Sequence, residues 1–509
     1  MKRFLFLITL LTAGVATAQE HFAQTMRVDR YDYIYRRNPW NTSENAAGIR
    51  QDNQSQSYAE AYFMKENGKM CDFSASDDSW TAGARTESIR HFDKISFAGR
   101  FQYDYFDGKN MCGSMFIHPG FYPVDILEFT PGRKIKETYS FTGGLSADLN
   151  AHWRAGLKVD LTAQNYAKRK DLRHKNKRLD FEFAPSVMFQ KGDWSVGANY
   201  LYAKNSERVT ADEIGTSPES YKAFFDKGLG YGVLERWDGN GTHLNETGSG
   251  ITGFPVKEQA HGFSTQVQWR DLFAELSYRS RRGETGEKEV FWHYFDTDEL
   301  GGRLNYTLHT NQYAHYFRAN IHWEKQDNRE NSFKKESING VPTVIYFGSM
   351  PIFSRRTLNI GAEYEIHSSV WNLRAGIEAE KIGRQSTLYY PQRREQAIHY
   401  VKVYAEGMYN VKQWEFTLGM DFRKGGYSEE AFTQDTDLET DEYPYQLTDY
   451  YNFANEYYTA SRMSLKAGVR YNIKQFYIDL TARYEHAFDV DYLRGEHRVK
   501  AILSLGYNF

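Results

Sequence analysis

The sequence has 509 residues and a nearly balanced charge, with 63 lysines and arginines against 66 aspartates and glutamates. Its mean hydropathy of −0.70 excludes a bundle of transmembrane helices, because each such helix would need about 20 consecutive apolar residues. Tyrosine, phenylalanine and tryptophan make up 16% of the chain, which gives it ample apolar surface to bury and excludes disorder.

The N-terminus predicts a secretory signal peptide over residues 1–18. Lys2 and Arg3 form a basic start, residues 4–15 form a short apolar run, and Ala16-Thr17-Ala18 forms a small-residue cleavage site. Cleavage before Gln19 leaves no cysteine at the new N-terminus, which argues against a lipid-anchored lipoprotein. The mature chain is therefore expected to be exported.

Residues 19–57 carry two motifs, Arg37-Asn38-Pro39-Trp40-Asn41 and Asn45-Ala46-Ala47-Gly48. Two interpretations of this segment stay open. It folds back as a plug into the structure formed by residues 58–509, or it forms a periplasmic tail or surface strand that leads into that structure.

Residues 58–509 are dominated by strict alternation of apolar and polar residues, the pattern of strands with one face in an apolar medium. In residues 152–164 six apolar residues alternate with seven polar or small residues without a break. Residues 371–380 and 462–473 repeat the pattern. These runs are about twice as long as the usual strand of a soluble sandwich.

The strands pair into seven hairpins with short polar turns, at 135–164, 177–206, 261–282, 303–325, 356–381, 397–423 and 460–486. Single strands at 92–106 and 496–509 bring the expected count to about 16, and a strand-like run at 58–65 with a partner near 84–91 widens the range to 14 to 18. Long polar segments separate the hairpins. The predicted fold is an all-β, antiparallel transmembrane β-barrel with short periplasmic turns and long external loops.

Two details of the strands fit an outer-membrane barrel. Five tryptophans lie beside short turns, as expected for an aromatic girdle at the periplasmic interface: Trp153, Trp194, Trp269, Trp371 and Trp414. The last strand alternates up to the C-terminal Phe509, which resembles the terminal signal that the outer-membrane barrel assembly machinery recognises.

Charged residues on the opposite strand faces cannot face lipid, where each would cost about 2 to 4 kcal/mol near the midplane. The candidate lumen wall consists of Arg154, Lys158, Arg374, Glu378, Arg462, Lys466, Arg470 and Arg483. This wall either sets the selectivity of a solute path or crosslinks a closed lumen through ion pairs. A barrel of about 16 strands is too wide for side chains alone to fill, which favours a path or a plugged channel.

Residues 168–178 form a strongly basic segment between two predicted hairpins. On the external side such a segment is expected to contact lipopolysaccharide phosphates. A solvated loop and a basic constriction inside the lumen are the alternatives. Nucleic-acid binding is not expected, because the chain is exported.

The only two cysteines, Cys71 and Cys112, are too few for a disulfide scaffold. They are a candidate for one disulfide bridge in an oxidising compartment, and two buried free thiols are the alternative.

The two N-terminal motifs, the stretch KISFAGRF at 94–101 and the stretch YAKRKDLRHKNK at 166–177 together resemble an uncharacterised outer-membrane β-barrel family of Bacteroidota type, a domain of unknown function. The resemblance covers nearly the whole mature chain. It implies the fold and location in the outer membrane of a Gram-negative bacterium, and no activity. Residues 19–57 are also weakly similar to the N-terminus of fatty-acid-transport-type barrels, where that stretch folds into the lumen as a hatch.

The leading functional hypothesis is a channel or transporter that passes a small solute across the outer membrane. The alternative is a non-catalytic scaffold that presents external loops to a partner protein or surface ligand, and the third is an outer-membrane enzyme. The chain is too short for a 22-stranded barrel preceded by a TonB-type plug domain. The sequence contains no His-Glu-x-x-His, Gly-x-Ser-x-Gly or paired-cysteine motif, so neither catalysis nor a cofactor is expected.

The expected partners follow from the compartment. They are outer-membrane lipid and lipopolysaccharide, the barrel assembly machinery during biogenesis, and a surface lipoprotein or transport partner.

Overall fold

The computed structural model describes residues 31–51, 55–170, 173–212, 222–236, 253–286, 290–310, 312–387, 393–432 and 446–509. The predicted signal peptide lies outside these residues. Among the residues described, no helix is long and apolar enough to cross a membrane.

Twenty strands and three short helical segments make up the described chain. The strands are β1 Gln56–Asn67, β2 Asp78–His91, β3 Ile95–Ser114, β4 Asp125–Asp148, β5 Trp153–Lys168, β6 Arg173–Lys191, β7 Trp194–Asp212, β8 Lys222–Gly228, β9 Tyr231–Arg236, β10 Phe254–Trp269, β11 Leu272–Gly286, β12 Phe291–His309, β13 Ala314–Ile338, β14 Val341–His367, β15 Trp371–Thr387, β16 Arg393–Val411, β17 Trp414–Phe432, β18 Arg462–Ile473, β19 Phe476–Ala487 and β20 His497–Asn508. The helices are α1 Tyr31–Arg37, a 3-10 helix Ala46–Gln51, and α2 Gln446–Thr459.

Eighteen of these strands close into one antiparallel barrel. Strands β1 to β7 follow one another, β7 pairs with β10, and β10 to β20 complete the circle. Strand β20 pairs with β1 from Tyr58 opposite Asn508 to Asn67 opposite Val499, which leaves no free edge. The predicted antiparallel barrel is confirmed, and its 18 strands lie within the expected range.

All seven predicted hairpins are present, and the extra pair beyond 16 strands is the hairpin of β1 and β2. The apolar and polar alternation is blurred in β1 because its inward face carries Tyr58 and Tyr62, whereas its outward face includes Ala59 and Ala61. These residues therefore gave a weaker strand pattern than the other hairpins.

The outer face of the barrel is apolar and ends in a row of tryptophans at the short turns. Leu373 and Ile377, for example, are almost half exposed and alternate with the inward Arg374. Trp194 and Trp269 lie opposite each other in the strand register, with stacked rings 6.0 Å apart. This arrangement suits a membrane interface, where an amphipathic ring is favoured.

The end of the barrel with the long connections is covered by packed segments that we call the external lid. The lid consists of residues 115–124, the β8–β9 hairpin and helix α2. Strand β8 pairs with the start of β4, with Asp125 opposite Asp226. Most of the buried apolar core lies here: one cluster joins Phe116 and Tyr122 to Phe225 and Phe254, and a second joins the hairpin to α2.

Candidate solute path

The N-terminal segment, residues 31–51, lies against the inner wall near the short turns. Asn45 is fully buried there, and its Nδ2 donates to Gln266 Oε1 at 2.8 Å and to the carbonyl of Val187 at 3.1 Å. The backbone N–H of Ala47 donates to Ser186 Oγ at 3.2 Å. These hydrogen bonds satisfy buried polar groups of both the segment and the wall.

Two ion pairs and one hydrogen bond from a charged side chain also fasten the segment to three different strands. Lys158 Nζ lies 2.8 Å from Glu44 Oε2, and Arg50 Nη2 lies 2.9 Å from Asp148 Oδ2. Arg303 Nη1 donates to the carbonyl of Thr42 at 2.6 Å. Burial opposes ionisation of Glu44, but Lys158, with Arg279 and Arg303, outweighs the effect of burial and lowers the pKa of that carboxyl.

Trp40 anchors the segment by packing. Its side chain is 1% exposed, its ring meets Phe273 edge-on at 5.2 Å, and its indole N–H donates to Gln268 Oε1. A Cβ at Gly48 would overlap the Trp40 ring. The Pro-Trp and Ala-Ala-Gly motifs therefore pack against each other.

Glycines at inward positions of the wall make room for the segment. A Cβ at Gly156 would overlap the backbone nitrogen of Ala47, and a Cβ at Gly197 would lie 2.5 Å from Asn45 Nδ2. The wall is thus shaped to accept the segment's backbone closely.

Residues 115–124 of the external lid enter the lumen from the opposite end. The Phe121 ring lies 4.5 Å from the Arg178 guanidinium and 5.0 Å from that of Arg281, within cation–π range. Tyr122 donates to Asn205 Oδ1 at 2.6 Å, and the backbone N–H of Ile117 donates to Glu207 Oε1 at 2.9 Å.

Two cavities lie in series between the lid and the N-terminal segment. The upper cavity has a volume of about 430 Å³ and is lined by Phe121. The lower cavity has a volume of about 180 Å³ and is lined by Glu44. Arg279 and Glu299 line both cavities, so these two residues lie at the boundary between them.

The eight residues of the candidate lumen wall all lie on inward faces, in two places. Lys158 pairs with the N-terminal segment, and Arg154 pairs with Asp148 at 2.9 Å. The other six lie on β15, β18 and β19, and five of them form ion pairs. Arg374 and Lys466 share Glu406, Arg470 pairs with Asp479, Arg483 pairs with Asp421, and Glu378 pairs with Lys402. The sixth, Arg462, lies over the Tyr457 ring.

The inner wall is dry beneath the lid and beneath the N-terminal segment, where Asn45 and Gln266 are fully buried, and it is wetter along β18 and β19. The side chains of Lys466 and Arg483 are 36% and 38% exposed although they face the lumen. By contrast, the side chains of Lys134, Lys168 and Glu128, beneath the lid, are at most 1% exposed. The wet sector therefore offers solvated charges along β15 to β19.

The basic segment 168–178 does not lie wholly at the surface. Lys168, His174 and Arg178 face inward and are buried, and Lys168 pairs with Glu128. Arg178 Nε donates to Asp180 at 2.8 Å. The exposed basic residues of this segment are Arg169, Lys170, Lys175 and Lys177, so external contacts are open to part of it. Residues 171 and 172 lie outside the described part.

Cys71 and Cys112 are both buried and both free. The candidate bridge is therefore absent from the structure, which has two thiols beneath the lid. Cys112 packs with Phe73 and Phe453, and burial raises the pKa of the Cys71 thiol.

A buried carboxylate joins two parts of the lid. Asp226 of β8 accepts hydrogen bonds from the Tyr451 hydroxyl and from the backbone N–H groups of Gly228 and Gly230. Burial raises the pKa of Asp226, and these hydrogen bonds oppose the rise only in part.

Sequence reasoning missed the residues that line the upper cavity from the lid side. Phe121 and Glu258 fell in segments interpreted as loops. In residues 256–261 the usual pattern of apolar residues outward and polar residues inward is reversed. Apolar Val256 and Ala260 face inward under the lid, whereas Lys257 and Gln259 face outward. This reversal was the available signal for a strand that continues above the membrane.

Comparisons with known proteins identify a family but no function. Residues 46–509 match the model of a family of unknown function, DUF6850. No curated protein matches the chain.

Several solved outer-membrane proteins share the general barrel. The FrpB iron transporter from Neisseria meningitidis, in its apoprotein form, is 9% identical, with 91% of this chain and 83% of that chain covered and a TM-score of 0.44. The ferric citrate transporter FecA is 10% identical, with 89% and 78% covered and a TM-score of 0.40. BauA, the ferric preacinetobactin receptor from Acinetobacter baumannii, is 8% identical, with 90% and 80% covered and a TM-score of 0.38.

The predicted membership of an uncharacterised family is confirmed, whereas the Bacteroidota type and the likeness to fatty-acid-transport barrels stay predictions. Because the family model spans almost all of the described structure, the chain belongs to the family of unknown function DUF6850.

Proposed function

We propose that the protein passes a small polar solute across the outer membrane of a Gram-negative bacterium. The observation that carries this proposal is the pair of cavities in series between the external lid and the N-terminal segment. Crosslinking of the lumen through ion pairs alone would not require two neighbouring cavities that share the lining residues Arg279 and Glu299.

In this proposal, residues 31–51 are a plug at the periplasmic end and the lid closes the external end. Both are held by contacts that break without unfolding the barrel, since each belongs to a connection or a terminus and not to the 18-stranded sheet. The wet sector along β15 to β19 supplies a charged wall for the solute or its counterions.

Planar bilayer recordings test the passage. We expect rare openings for the wild type and frequent stepwise conductance for a Trp40→Ala/Phe121→Ala double variant, in which both closures are weakened. Trp153→Ala removes a ring of the outer girdle and should leave conductance unchanged. Silence of the double variant, with a folded barrel, would rule out a solute path.

Ion selectivity tests whether the wet sector belongs to the path. Lys466→Gln and Arg483→Gln each remove a lumen cation, so the open barrel should shift toward cation preference. An unchanged reversal potential in both variants would separate this wall from the path.

The location and partners are part of the proposal. The N-terminal sequence supports cleavage of residues 1–18, and the alternating last strand supports delivery to the barrel assembly machinery. The exposure of Lys175 and Lys177 supports their contact with lipopolysaccharide phosphate. Mass spectrometry of the mature N-terminus checks the cleavage site.

A second candidate function, presentation of a surface to a partner protein, is favoured by the β13–β14 hairpin. Its exposed apolar side chains include Val341, at the start of β14, and Phe347, at 61% and 67% exposure. Crosslinking in intact cells from position 347 would identify a partner, and the absence of any crosslink would remove this candidate.

A further inference from the structure

The upper cavity contains a buried carboxylate that lacks hydrogen-bond donors. Glu258 of β10 is 3% exposed, and neither of its carboxylate oxygens accepts a hydrogen bond from the described residues. Glu258 forms an ion pair with Arg281, but Arg281 Nη1 lies 3.7 Å from Glu258 Oε2, which is beyond hydrogen-bond distance. A buried carboxylate in this state lacks the donors that usually stabilise it.

Arg281 does not compensate Glu258, because two other glutamates compete for the same guanidinium. Arg281 Nε lies 2.7 Å from Glu299 Oε1, and Nη2 donates to Glu324 Oε2 at 3.0 Å. Glu324 also accepts a hydrogen bond from Arg355 Nη2 at 3.0 Å, whereas Glu258 has only Arg281 among the residues described. Glu258 receives the weakest share.

The residues that line the cavity include more acids than bases, and two of the acids also pair with cations outside the lining: Asp160 with Lys158 at 3.2 Å and Glu324 with Arg355 at 3.0 Å. Its acidic residues are Asp160, Asp180, Glu182, Glu258, Glu299 and Glu324, and its basic residues are Arg178, Lys204, Arg279 and Arg281. Lys204 alternates with the inward Ala203 and Asn205 and thus belongs to the outward face of β7. The inward lining has six carboxylates against three guanidinium groups.

The shape of the site favours an organic cation over a metal ion. The cavity volume of about 430 Å³ equals the space of roughly 14 water molecules. Within the described chain, no group of three histidine, cysteine or acidic residues converges as metal ligands would. The carboxylates are spread over strands β5, β6, β10, β12 and β13, which suits a ligand with several separated N–H donors.

We propose that the upper cavity binds a small organic cation, an amine or guanidine, whose N–H groups donate to Glu258. This inference rests on the proposed function, because it names the class of solute that the path would carry. Phe121 lines the lid side of the cavity, and Arg279 and Glu299 lie at its boundary with the lower cavity.

Isothermal titration calorimetry of the refolded full chain in non-ionic detergent tests the site with spermidine as the probe. Citrate serves as the anionic control and triethylene glycol as the neutral one. We expect saturable binding of spermidine and no binding of citrate or triethylene glycol. Glu258→Gln keeps the side-chain volume and should weaken the affinity about 10- to 100-fold, the factor carried by one hydrogen bond to a charged group.

Two further variants make the charge argument specific. Arg281→Gln removes the competing cation and should tighten spermidine binding, the opposite sign to Glu258→Gln. Asp327→Asn changes an outward carboxylate of β13, so binding should stay unchanged. Circular dichroism and the mobility of unheated protein on gels confirm that each variant forms a barrel.

The outcomes separate this inference from the proposed function. If spermidine fails to bind, if citrate binds equally, or if Glu258→Gln has no effect, the cation site is overturned even when the double variant conducts. If spermidine binds with the expected Glu258 dependence while the double variant is silent, the site stands and passage is wrong.

Discussion

Replacing Trp40 by alanine should release the N-terminal segment while the barrel stays closed. Trp40 is 1% exposed and packs against Phe273 and Met188, so Trp40→Ala removes a fully buried ring. Such truncations cost about 3 to 5 kcal/mol. The only covalent link between the segment and the sheet is the chain that leads into β1. The lost packing energy therefore weakens docking of the segment, and the equilibrium constant for docking falls about 150- to 4,000-fold.

Hydrogen exchange followed by mass spectrometry measures this release. Peptides that cover residues 46–51 should lose protection in Trp40→Ala, and peptides from β15 to β19 should keep theirs. Trp153→Ala is the matched control, since that ring is 45% exposed on the outer face. Unchanged protection of residues 46–51 would refute the reasoning, as would a loss of protection that spreads throughout the barrel.

Three further predictions concern the segment, the thiols and the lid. Gly156→Ala places a Cβ against the segment backbone and should lower protection of residues 46–51, whereas Gly99→Ala, with no neighbour within 4 Å, should not; equal effects would contradict the close fit. Cys71 and Cys112 should both react with maleimide in urea without reductant and react slowly in the folded protein; failure to label in urea would indicate a bridge. Burial raises the pKa of Asp226, so the docked hairpin holds its proton more tightly than the free chain. Lid docking should be strongest below the ordinary aspartate pKa and weaken as the pH rises through the raised value. The measurement is exchange protection of β8, corrected for intrinsic rates, which should fall as the pH rises above the ordinary aspartate range; Asp226→Asn should flatten this dependence, and a wild type without it would contradict the assignment.

The barrel was largely predictable because strand alternation is a local property. The inward positions of Arg374 and Lys466 follow from their apolar neighbours in the same strand. The lid was not predictable in the same way. Phe121 meets Arg178 and Arg281, which are far away in sequence, and no local pattern indicates such a contact.

The basic segment shows the same limit. Lys168 reads as a surface charge from its neighbours, yet Glu128, 40 residues away, neutralises it beneath the lid. The wall glycines are an intermediate case. Gly156 fits the apolar and polar alternation of its strand. The need for a glycine there follows only from the position of the Ala47 backbone, which a Cβ would overlap.

The packing beneath the lid also sets an order of events during biogenesis. One cluster joins Met70 and Phe73, just after the first strand, to Phe453 of α2 and to Leu493, just before the last strand. Contacts between such distant parts of the chain form late, because loop-closure entropy must be overcome first. The lid can therefore seal only after β20 has met β1, so a half-inserted barrel would stay open and a sealed lid marks a completed one.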